Sequence, residues 1–221
     1  MSSVPDPPTL YIVTDRRAAG GRALPDIVAA ALTGGPPGRV AVQLREKDLG
    51  ARELLELAQA LRAVTAAGAA RNGVPAARLF INDRIDVALA CGADGVHLPA
   101  NSLPLAELRS RARPLALAAS AHDANQVAAA RAAGADFVVF GPVFDTPAKR
   151  RFGPPRGLAA LAQAARAAGA VPVLAIGGVT VENGPLCLAA GARGVACIRA
   201  VMSATDAAAV VRAFFAGFGR S

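Results

Sequence analysis

Eight short apolar runs, each separated from the next by a helical stretch, most constrain what this chain can fold into. The first run is Leu10–Val13, which is followed by the polar pair Thr14-Asp15. Apolar and β-branched strands that alternate with helices are typical of a parallel sheet covered on both faces. Eight such units predict an α/β fold of the (β/α)8 TIM-barrel class, organised as a single domain. An open doubly wound sheet is the alternative, because the number of elements does not by itself prove closure.

The predicted elements alternate along the whole chain. Strands are predicted at residues 10–15, 39–46, 77–83, 95–98, 115–120, 136–143, 171–176 and 194–198. Helices are predicted at residues 22–33, 51–68, 86–91, 103–112, 123–133, 158–168, 182–190 and 206–218. A weak repeat supports this count. Gly92-Ala93-Asp94, Gly134-Ala135-Asp136 and Gly191-Ala192-Arg193 each place a glycine at the end of a helix just before a strand.

Length and composition agree with one domain. The chain has 221 residues, of which 53% are hydrophobic, and this is ample for a single core. We expect residues 1–8 to form a flexible N-terminal tail and residues 9–221 to form the barrel. No stretch is long and apolar enough to cross a membrane, and signal-peptide features are absent, so we expect a cytoplasmic protein. Cys91, Cys187 and Cys197 show no metal-ligand spacing and are expected to be buried free thiols.

The formal charge of +8 raises the question of nucleic-acid binding. The longest basic run is only Lys149-Arg150-Arg151, and the other arginines are spread along alanine-rich helical stretches. Aromatic residues, which stack on bases, make up only 4% of the chain. The charge therefore favours solvated helix faces and small anionic substrates, with no nucleic-acid partner.

The chemically useful residues that are rare in this chain lie at the ends of the predicted strands. Both lysines, Lys47 and Lys149, and both histidines, His97 and His122, lie there, where a parallel barrel forms its functional site. Gln43, Arg45 and Lys47 alternate along the second predicted strand, so they are predicted to share one face. Because burying these groups without partners is costly, this face is expected to meet solvent or an anionic ligand.

Several of these strand-end residues suit a phosphorylated ligand. Arg45 can bind phosphate oxygens through two N–H groups, whereas Lys47 and Lys149 act as point charges. The turn Gly177-Gly178 allows backbone N–H groups to approach an anion closely. Asp83 is the best candidate for a Mg²⁺ ligand, since Mg²⁺ takes one or two carboxylates together with phosphate oxygens. Capping the next helix is the alternative role for Asp83, and hydrogen-bonded strand-end roles are the alternatives for His97 and His122.

A series of motifs spans nearly the whole chain in a fixed order. They are Thr14-Asp15, Gln43-Leu44-Arg45-Glu46-Lys47-Asp48, Ile81-Asn82-Asp83-Arg84, Gly92-Ala93-Asp94-Gly95-Val96-His97-Leu98, Gly141-Pro142-Val143-Phe144 with Thr146 and Lys149, and Ala175-Ile176-Gly177-Gly178-Val179. In these motifs the chain resembles the thiamine-phosphate synthase superfamily, which includes thiamine-phosphate synthase and the related thiazole tautomerase. The resemblance implies a (β/α)8 barrel that acts on small phosphorylated substrates of thiamine biosynthesis.

The synthase branch joins an aminopyrimidine methyl diphosphate to a thiazole phosphate, or to its carboxylate, and releases diphosphate. The resemblance implies that Mg²⁺ and cationic side chains stabilise the departing diphosphate, after which the thiazole nitrogen attacks a pyrimidine cation. The pyrimidine diphosphate would be held by Gln43, Arg45, Lys47, Asn82 and Lys149, of which Arg45, Lys47 and Lys149 are the catalytic cations. Ser120 would contact the pyrimidine and Asp83 would bind Mg²⁺. The thiazole phosphate would lie among Thr146, Gly178, Ile198 and Arg199.

Two departures from the synthase pattern keep the tautomerase branch open. Ser102 replaces the second metal carboxylate of the synthases, and a hydroxyl is a weak Mg²⁺ ligand. Arg199 replaces a serine of the strand-eight motif and would either bind phosphate or block the pocket. In a tautomerase, His122 would move a proton without a metal to aromatise the thiazole carboxylate phosphate. The complete set of diphosphate ligands favours the synthase, because a tautomerase has no diphosphate to hold.

Two further points stay open at the level of the sequence. A non-catalytic barrel that binds a phosphorylated thiamine intermediate is a third hypothesis. Barrels of this class use their helix faces in several assemblies, so a homo-oligomer is compatible with the sequence.

Overall fold

Eight parallel strands close into a barrel in which each strand pairs with the next and the eighth pairs with the first. The computed structural model describes residues 7–72, 77–112, 114–146 and 153–219. The strands are β1 (Leu10–Val13), β2 (Val40–Leu44), β3 (Arg78–Asn82), β4 (Gly95–Leu98), β5 (Ala116–Ala121), β6 (Phe137–Phe140), β7 (Val173–Ala175) and β8 (Gly194–Cys197). Closure confirms the predicted barrel and excludes the open sheet.

Helices follow the strands around the outside of the barrel. They are α1 (Leu24–Leu32), α2 (Ala51–Asn72), α3 (Ile85–Ala90), α4 (Leu105–Arg109), α5 (Ala124–Ala132), α6 (Gly157–Ala168), α7 (Gly184–Ala189), α8 (Arg199–Met202) and α9 (Ala207–Phe218). All eight predicted helices are present, and the side chain of Asp123 caps α5 by accepting from the N–H of Gln126. The sequence did not predict α8, because one turn of helix is too short to give a periodic pattern.

The strands bury their side chains in two layers. One layer fills the barrel interior and includes Tyr11, Phe80 and Phe137, whose rings meet edge to face with centroids 5.3–5.5 Å apart. The other layer lies between the strands and the helices and includes Leu10 and Ile12. Because successive side chains of a strand point to opposite faces, one strand serves both layers. The aromatic rings fill the barrel, so polar side chains of the interior face lie nearer its ends.

The Gly-Ala-Asp repeat has a clear structural cause. Gly92, Gly134 and Gly191 all adopt positive φ at helix ends, as the C-cap interpretation predicts. The carboxylate of Asp136 then accepts from the Leu117 N–H at 2.6 Å and from Arg109 of α4 at 2.8 Å. Asp94 makes the equivalent contacts with the Leu79 N–H and with Arg62 of α2. Each aspartate therefore fastens the start of one strand to a neighbouring helix.

Some predicted boundaries were wrong by a few residues. The second strand ends at Leu44 rather than at residue 46, and the sixth ends at Phe140 rather than at residue 143. After β6, Pro142 has no N–H to donate to a ladder, and the next N–H, that of Val143, donates to the Ile176 carbonyl beyond the end of β7. Of the expected tail, Pro7 and Pro8 lie within the described residues, and Pro8 is buried.

Two expectations from composition can be compared with the structure. All three cysteines are free thiols; Cys187 and Cys197 are buried as predicted, whereas Cys91 is only half-buried. Burial raises the pKa of the Cys197 thiol to about 12 and that of Cys187 to about 11, so both stay protonated near neutral pH. Within the described ranges, no helix has the length and apolar character needed to span a membrane.

Replacing Asp136 with alanine is expected to lower the free energy of unfolding by about 2 kcal/mol. The change leaves the Leu117 N–H without its acceptor and removes the carboxylate partner of the Arg109 guanidinium, which keeps only its bonds to backbone carbonyls. Urea denaturation near neutral pH measures the effect. Asp86→Ala is the control, because the one ion-pair partner of Asp86 in the part of the chain that is described is the partly exposed Arg84, two residues earlier; its loss should stay below about 0.5 kcal/mol. Equal losses in the two variants would contradict the proposed fastening role.

Candidate active site

Gln43 is the first polar side chain of β2 that faces the barrel interior. It is 3% exposed and lies beside Val13 of β1 and Phe80 of β3 in the sheet register. Its Nε2 group donates to Oδ1 of Asn82, the last residue of β3, at 3.3 Å. Two side chains that the sequence assigned to one ligand are thus joined directly. The pair presents amide donors and acceptors at the C-terminal mouth of the barrel.

Strand β2 ends at Leu44, so Arg45 and Lys47 lie just beyond the strand that was predicted to carry them together with Gln43. The N–H of Arg45 donates to the side-chain Oγ1 of Thr14 at 2.9 Å rather than to a backbone carbonyl. Arg45 is half-buried and Lys47 is exposed. Arg45 nevertheless acts electrostatically on His97 of β4, which places its charge near the mouth.

Asp83 lies at the mouth directly after β3. It is exposed and has φ of 65°, a left-handed conformation that non-glycine residues seldom adopt. Its N–H donates to the His97 carbonyl at 2.9 Å, and its Oδ1 accepts from the hydroxyl of Ser102. The two residues that the resemblance assigns to a metal are therefore in direct contact. Asp83 does not cap the next helix, whose N-cap is Arg84.

Asp83 and Ser102 alone offer few ligands to a metal ion. Among the described residues, no group of three His, Cys, Asp or Glu side chains could hold an ion. One exposed carboxylate beside a hydroxyl does fit Mg²⁺, provided that ligand phosphate oxygens supply further coordination. The donor set therefore suits a metal that binds together with a diphosphate rather than one held by the protein alone.

His97 points from β4 into the barrel and is 4% exposed. Its Nε2 atom lies 2.8 Å from Oγ of Ser120 on the neighbouring β5, and its ring stacks on Tyr11 with centroids 5.9 Å apart. Burial, and secondarily the positive charge of Arg45, lowers the pKa of His97 to about 3. His97 is thus a neutral imidazole that orients the Ser120 hydroxyl, as the structural alternative for this histidine supposed.

His122 is held at the end of β5 by backbone contacts. Its Nδ1 atom lies 2.6 Å from the carbonyl of Gly141, after β6, and its own N–H donates to Gln126. A carbonyl only accepts, so Nδ1 carries the hydrogen in this contact. Nε2 is the remaining ring nitrogen, and it is the atom that a proton-transfer role would need.

The turn after β7 is built for close approach of another chain segment. Gly177 and Gly178 have φ of 97° and 64°, and a side chain at Gly178 would meet Phe144 and the Asp145 carbonyl at 2.7 Å. No backbone carbonyl in the described part of the chain accepts from their N–H groups. These donors suit an anion such as a phosphate.

The remaining predicted ligands lie around this turn or outside the described residues. The Oγ1 atom of Thr146, after β6, is buried and has no hydrogen-bond partner among the described residues. Ile198 and Arg199 form the start of α8, where Ile198 is half-buried and Arg199 is exposed. Lys149 falls at residues 147–152, outside the described ranges, so its role stays a prediction.

The sequence analysis gave no role to two residues that organise this mouth. Thr14 is fully buried, and its hydroxyl donates to Oε1 of Glu46 at 2.7 Å. Glu46 is 7% exposed although it lies in a run of charged residues. Both residues belong to the family motifs, but only the pairing of β1 with β2 brings the ends of these strands together.

The buried, neutral state of His97 makes a prediction about stability at acid pH. In the unfolded chain this imidazole has its ordinary pKa near 6.5, so between that value and about pH 3 the unfolded state binds more protons. Stability therefore falls as the pH drops, and His97 contributes about 2 kcal/mol of loss between about pH 7 and pH 5. Urea titrations should show that His97→Gln loses this part of the dependence. The same dependence in both proteins would contradict the assignment.

Comparison with known proteins places these features in a family. Residues 10–201 match the model of the thiamine monophosphate synthase family. A thiamine-phosphate synthase of Roseiflexus sp. (strain RS-1) is 46% identical over 208 residues, which are 94% of this chain and 84% of that protein. The thiamine-phosphate synthase of Methanoculleus marisnigri is 45% identical over 206 residues, or 92% of each chain.

A solved structure agrees with the sequence comparisons. Thiamine phosphate pyrophosphorylase from Pyrococcus furiosus superposes with a TM-score of 0.83 at 32% identity, covering 96% of each chain. The match extends over the barrel and not merely over one motif. This chain belongs to the thiamine monophosphate synthase family.

Proposed function

We propose that this chain is a thiamine-phosphate synthase, a transferase that joins an aminopyrimidine methyl diphosphate to a thiazole phosphate and releases diphosphate. The observation that carries the proposal is the diphosphate-binding set at the ends of β2 and β3. Gln43 and Asn82 are hydrogen-bonded there, the charge of Arg45 acts near them, and Asp83 follows directly. The relatives named above are synthases, and this favours the synthase over a tautomerase and over a non-catalytic barrel.

In this proposal the pyrimidine diphosphate binds at the ends of β2 to β5. Arg45 grips the diphosphate, with Lys47 and Lys149 adding charge, while Gln43 and Asn82 orient the substrate. Ser120, whose hydroxyl is oriented by His97, contacts the pyrimidine. The strand order supports a shared site, because the ends of β2, β3, β4 and β5 are consecutive neighbours around the barrel.

The thiazole phosphate would bind at the ends of β6 to β8. The N–H groups of Gly177 and Gly178 and the hydroxyl of Thr146 are donors that lack a partner in the described chain. Exposed Arg199 would add a positive charge at the start of α8, beside Ile198. Separate sites for the two substrates hold the thiazole nitrogen near the pyrimidine methylene group, which removes much of the entropic cost of their encounter.

The chemical step is the departure of diphosphate. Negative charge grows on the leaving group as its C–O bond breaks, and fixed cations stabilise that charge more strongly than water does. Mg²⁺, held by Asp83 and Ser102 together with the diphosphate, would supply further charge neutralisation. Arg45 and Lys47 have no ion-pair partner in the described part of the chain, so their charge is available to the leaving group.

The tautomerase remains the second hypothesis because of two residues. Ser102 lacks a carboxylate, and the ring of His122 is fixed through Nδ1, which leaves Nε2 for proton transfer. A tautomerase, however, gives no use to the diphosphate-binding set. The two activities are separable, because only the synthase needs Mg²⁺ and only the tautomerase needs His122.

Arg45→Ala is expected to lower kcat/KM for diphosphate release about 100-fold to 1,000-fold, because it removes charge stabilisation at the leaving group. The assay contains both substrates and Mg²⁺, and chelation of the metal should abolish turnover. Arg111→Ala is the matched control, since Arg111 is exposed just after α4 and Glu107 is its one ion-pair partner among the described residues. Wild-type protein that releases no diphosphate but isomerises the thiazole carboxylate, and loses that activity in His122→Ala, would contradict the proposal.

Ser102→Asp is expected to strengthen Mg²⁺ binding about tenfold in the presence of inorganic diphosphate, because a second carboxylate then joins Asp83. Isothermal titration calorimetry of Mg²⁺ measures this affinity without any turnover. Ser110→Asp, at the end of α4, adds the same charge away from Asp83 and should leave the affinity within about twofold. Equal affinities in wild type and Ser102→Asp would show that residue 102 lies outside the metal site.

A further inference from the structure

In the run Arg45-Glu46-Lys47-Asp48, the two acidic side chains and the two basic side chains have different partners. Both carboxylates are engaged by arginines of the loop after β1, because Arg16 contacts Glu46 and Asp48 and Arg17 contacts Asp48. The hydrogen bond from Arg16 lowers the pKa of Asp48. Neither Arg45 nor Lys47 has a carboxylate partner in the described part of the chain. The acids are thus neutralised locally and the cations are left for an anionic ligand.

Glu46 is the buried member of this arrangement. Its Oε1 atom accepts from the Thr14 hydroxyl at 2.7 Å, and its Oε2 atom accepts from the backbone N–H and the Nε–H of Arg16 at 3.2 and 3.3 Å. A buried carboxylate needs such donors, and all three come from the chain just after β1. Both carboxylate oxygens of Glu46 are therefore engaged by the chain after β1, and these bonds fix the segment that carries Arg45.

Thr14 transmits this constraint to the backbone of Arg45. Its one hydroxyl hydrogen goes to Glu46, so its oxygen lone pairs are free to accept from the Arg45 N–H at 2.9 Å. The N–H of Thr14 donates to the Gln43 carbonyl at 2.9 Å. The carboxylate thus determines which way the Thr14 hydroxyl points, and the hydroxyl holds the backbone at the point where Arg45 leaves β2.

We propose that Glu46 and Thr14 are positioning residues for the diphosphate site, which they serve by holding the Arg45 backbone and by keeping the charges of Arg45 and Lys47 unpaired. The proposal rests on the proposed function, since it takes a diphosphate as the anion bound at this mouth. Neither residue needs to touch the ligand. In a Glu46→Gln variant the amide NH₂ group would face the donor groups of Thr14 or Arg16. Part of these hydrogen bonds would be lost, and the backbone at Arg45 would be held less firmly.

The first test measures binding of inorganic diphosphate, with Mg²⁺ present, by isothermal titration calorimetry. Glu46→Gln and Thr14→Val are expected to weaken binding about 10-fold to 100-fold, because a small displacement of Arg45 is costly. Thr14→Ser keeps the hydroxyl and should restore affinity to within about threefold of wild type. Glu53→Gln is the matched control, because its exposed carboxylate accepts from the Gly50 N–H at the start of α2 and from no other group in the described ranges.

The second test separates positioning from general damage to the fold. Steady-state kinetics should show a raised KM for the pyrimidine diphosphate in Glu46→Gln and Thr14→Val, with the KM for the thiazole phosphate unchanged. Equal increases in both KM values, or diphosphate affinity equal to wild type in both variants, would overturn the proposal. If Glu46→Gln fails to fold, the comparison of Thr14→Val with Thr14→Ser decides. Wild-type protein that binds no diphosphate would instead overturn the proposed function, and this proposal with it.

Discussion

Closure of the parallel sheet is the constraint on which the rest of this structure depends. A closed barrel turns one face of every strand inward, and Tyr11, Phe80 and Phe137 fill that interior. Gln43 and His97, polar side chains of the inward face, are buried beside these rings, Gln43 next to Phe80 in the register and His97 against Tyr11. All eight C-terminal strand ends meet at the same mouth, so residues far apart in sequence become neighbours. The fold thus places the candidate active site at the C-terminal mouth of the barrel, whatever side chains lie there.

Polar groups at this mouth obtain their partners from neighbouring strands. Gln43 of β2 contacts Asn82 of β3, and His97 of β4 contacts Ser120 of β5. Each contact satisfies part of a buried polar side chain and at the same time orients it. The arginines after β1 take up the carboxylates of the next loop in the same manner. The pairing of neighbouring strands therefore has two effects. It orients the polar side chains of the mouth, and it brings the arginines after β1 to the carboxylates after β2.

Periodicity and turn residues were sufficient to predict the barrel, because apolar strands and helix-ending glycines act locally. The family motifs placed the chain in its family, which the comparisons confirm. The sequence pattern gave the wrong end for β2, because a contact between residues far apart in sequence determines the backbone conformation there. Arg45 leaves the strand because Thr14 binds its N–H, and nothing near Arg45 in sequence indicates this. The contact of Ser102 with Asp83 likewise joins segments that only the folded chain brings together, whereas α8 is too short to give a periodic pattern.

The central claim is that the mouth formed by β2 and β3 receives the diphosphate, while the turn after β7 receives the thiazole phosphate. A crystal structure of the protein with thiamine phosphate, diphosphate and Mg²⁺ tests it most directly. The account predicts diphosphate against Arg45 and Asn82 with the metal on Asp83, and the phosphate of thiamine phosphate against Gly177 and Gly178. Diphosphate bound elsewhere, or both phosphorylated groups at the turn after β7, would contradict the account.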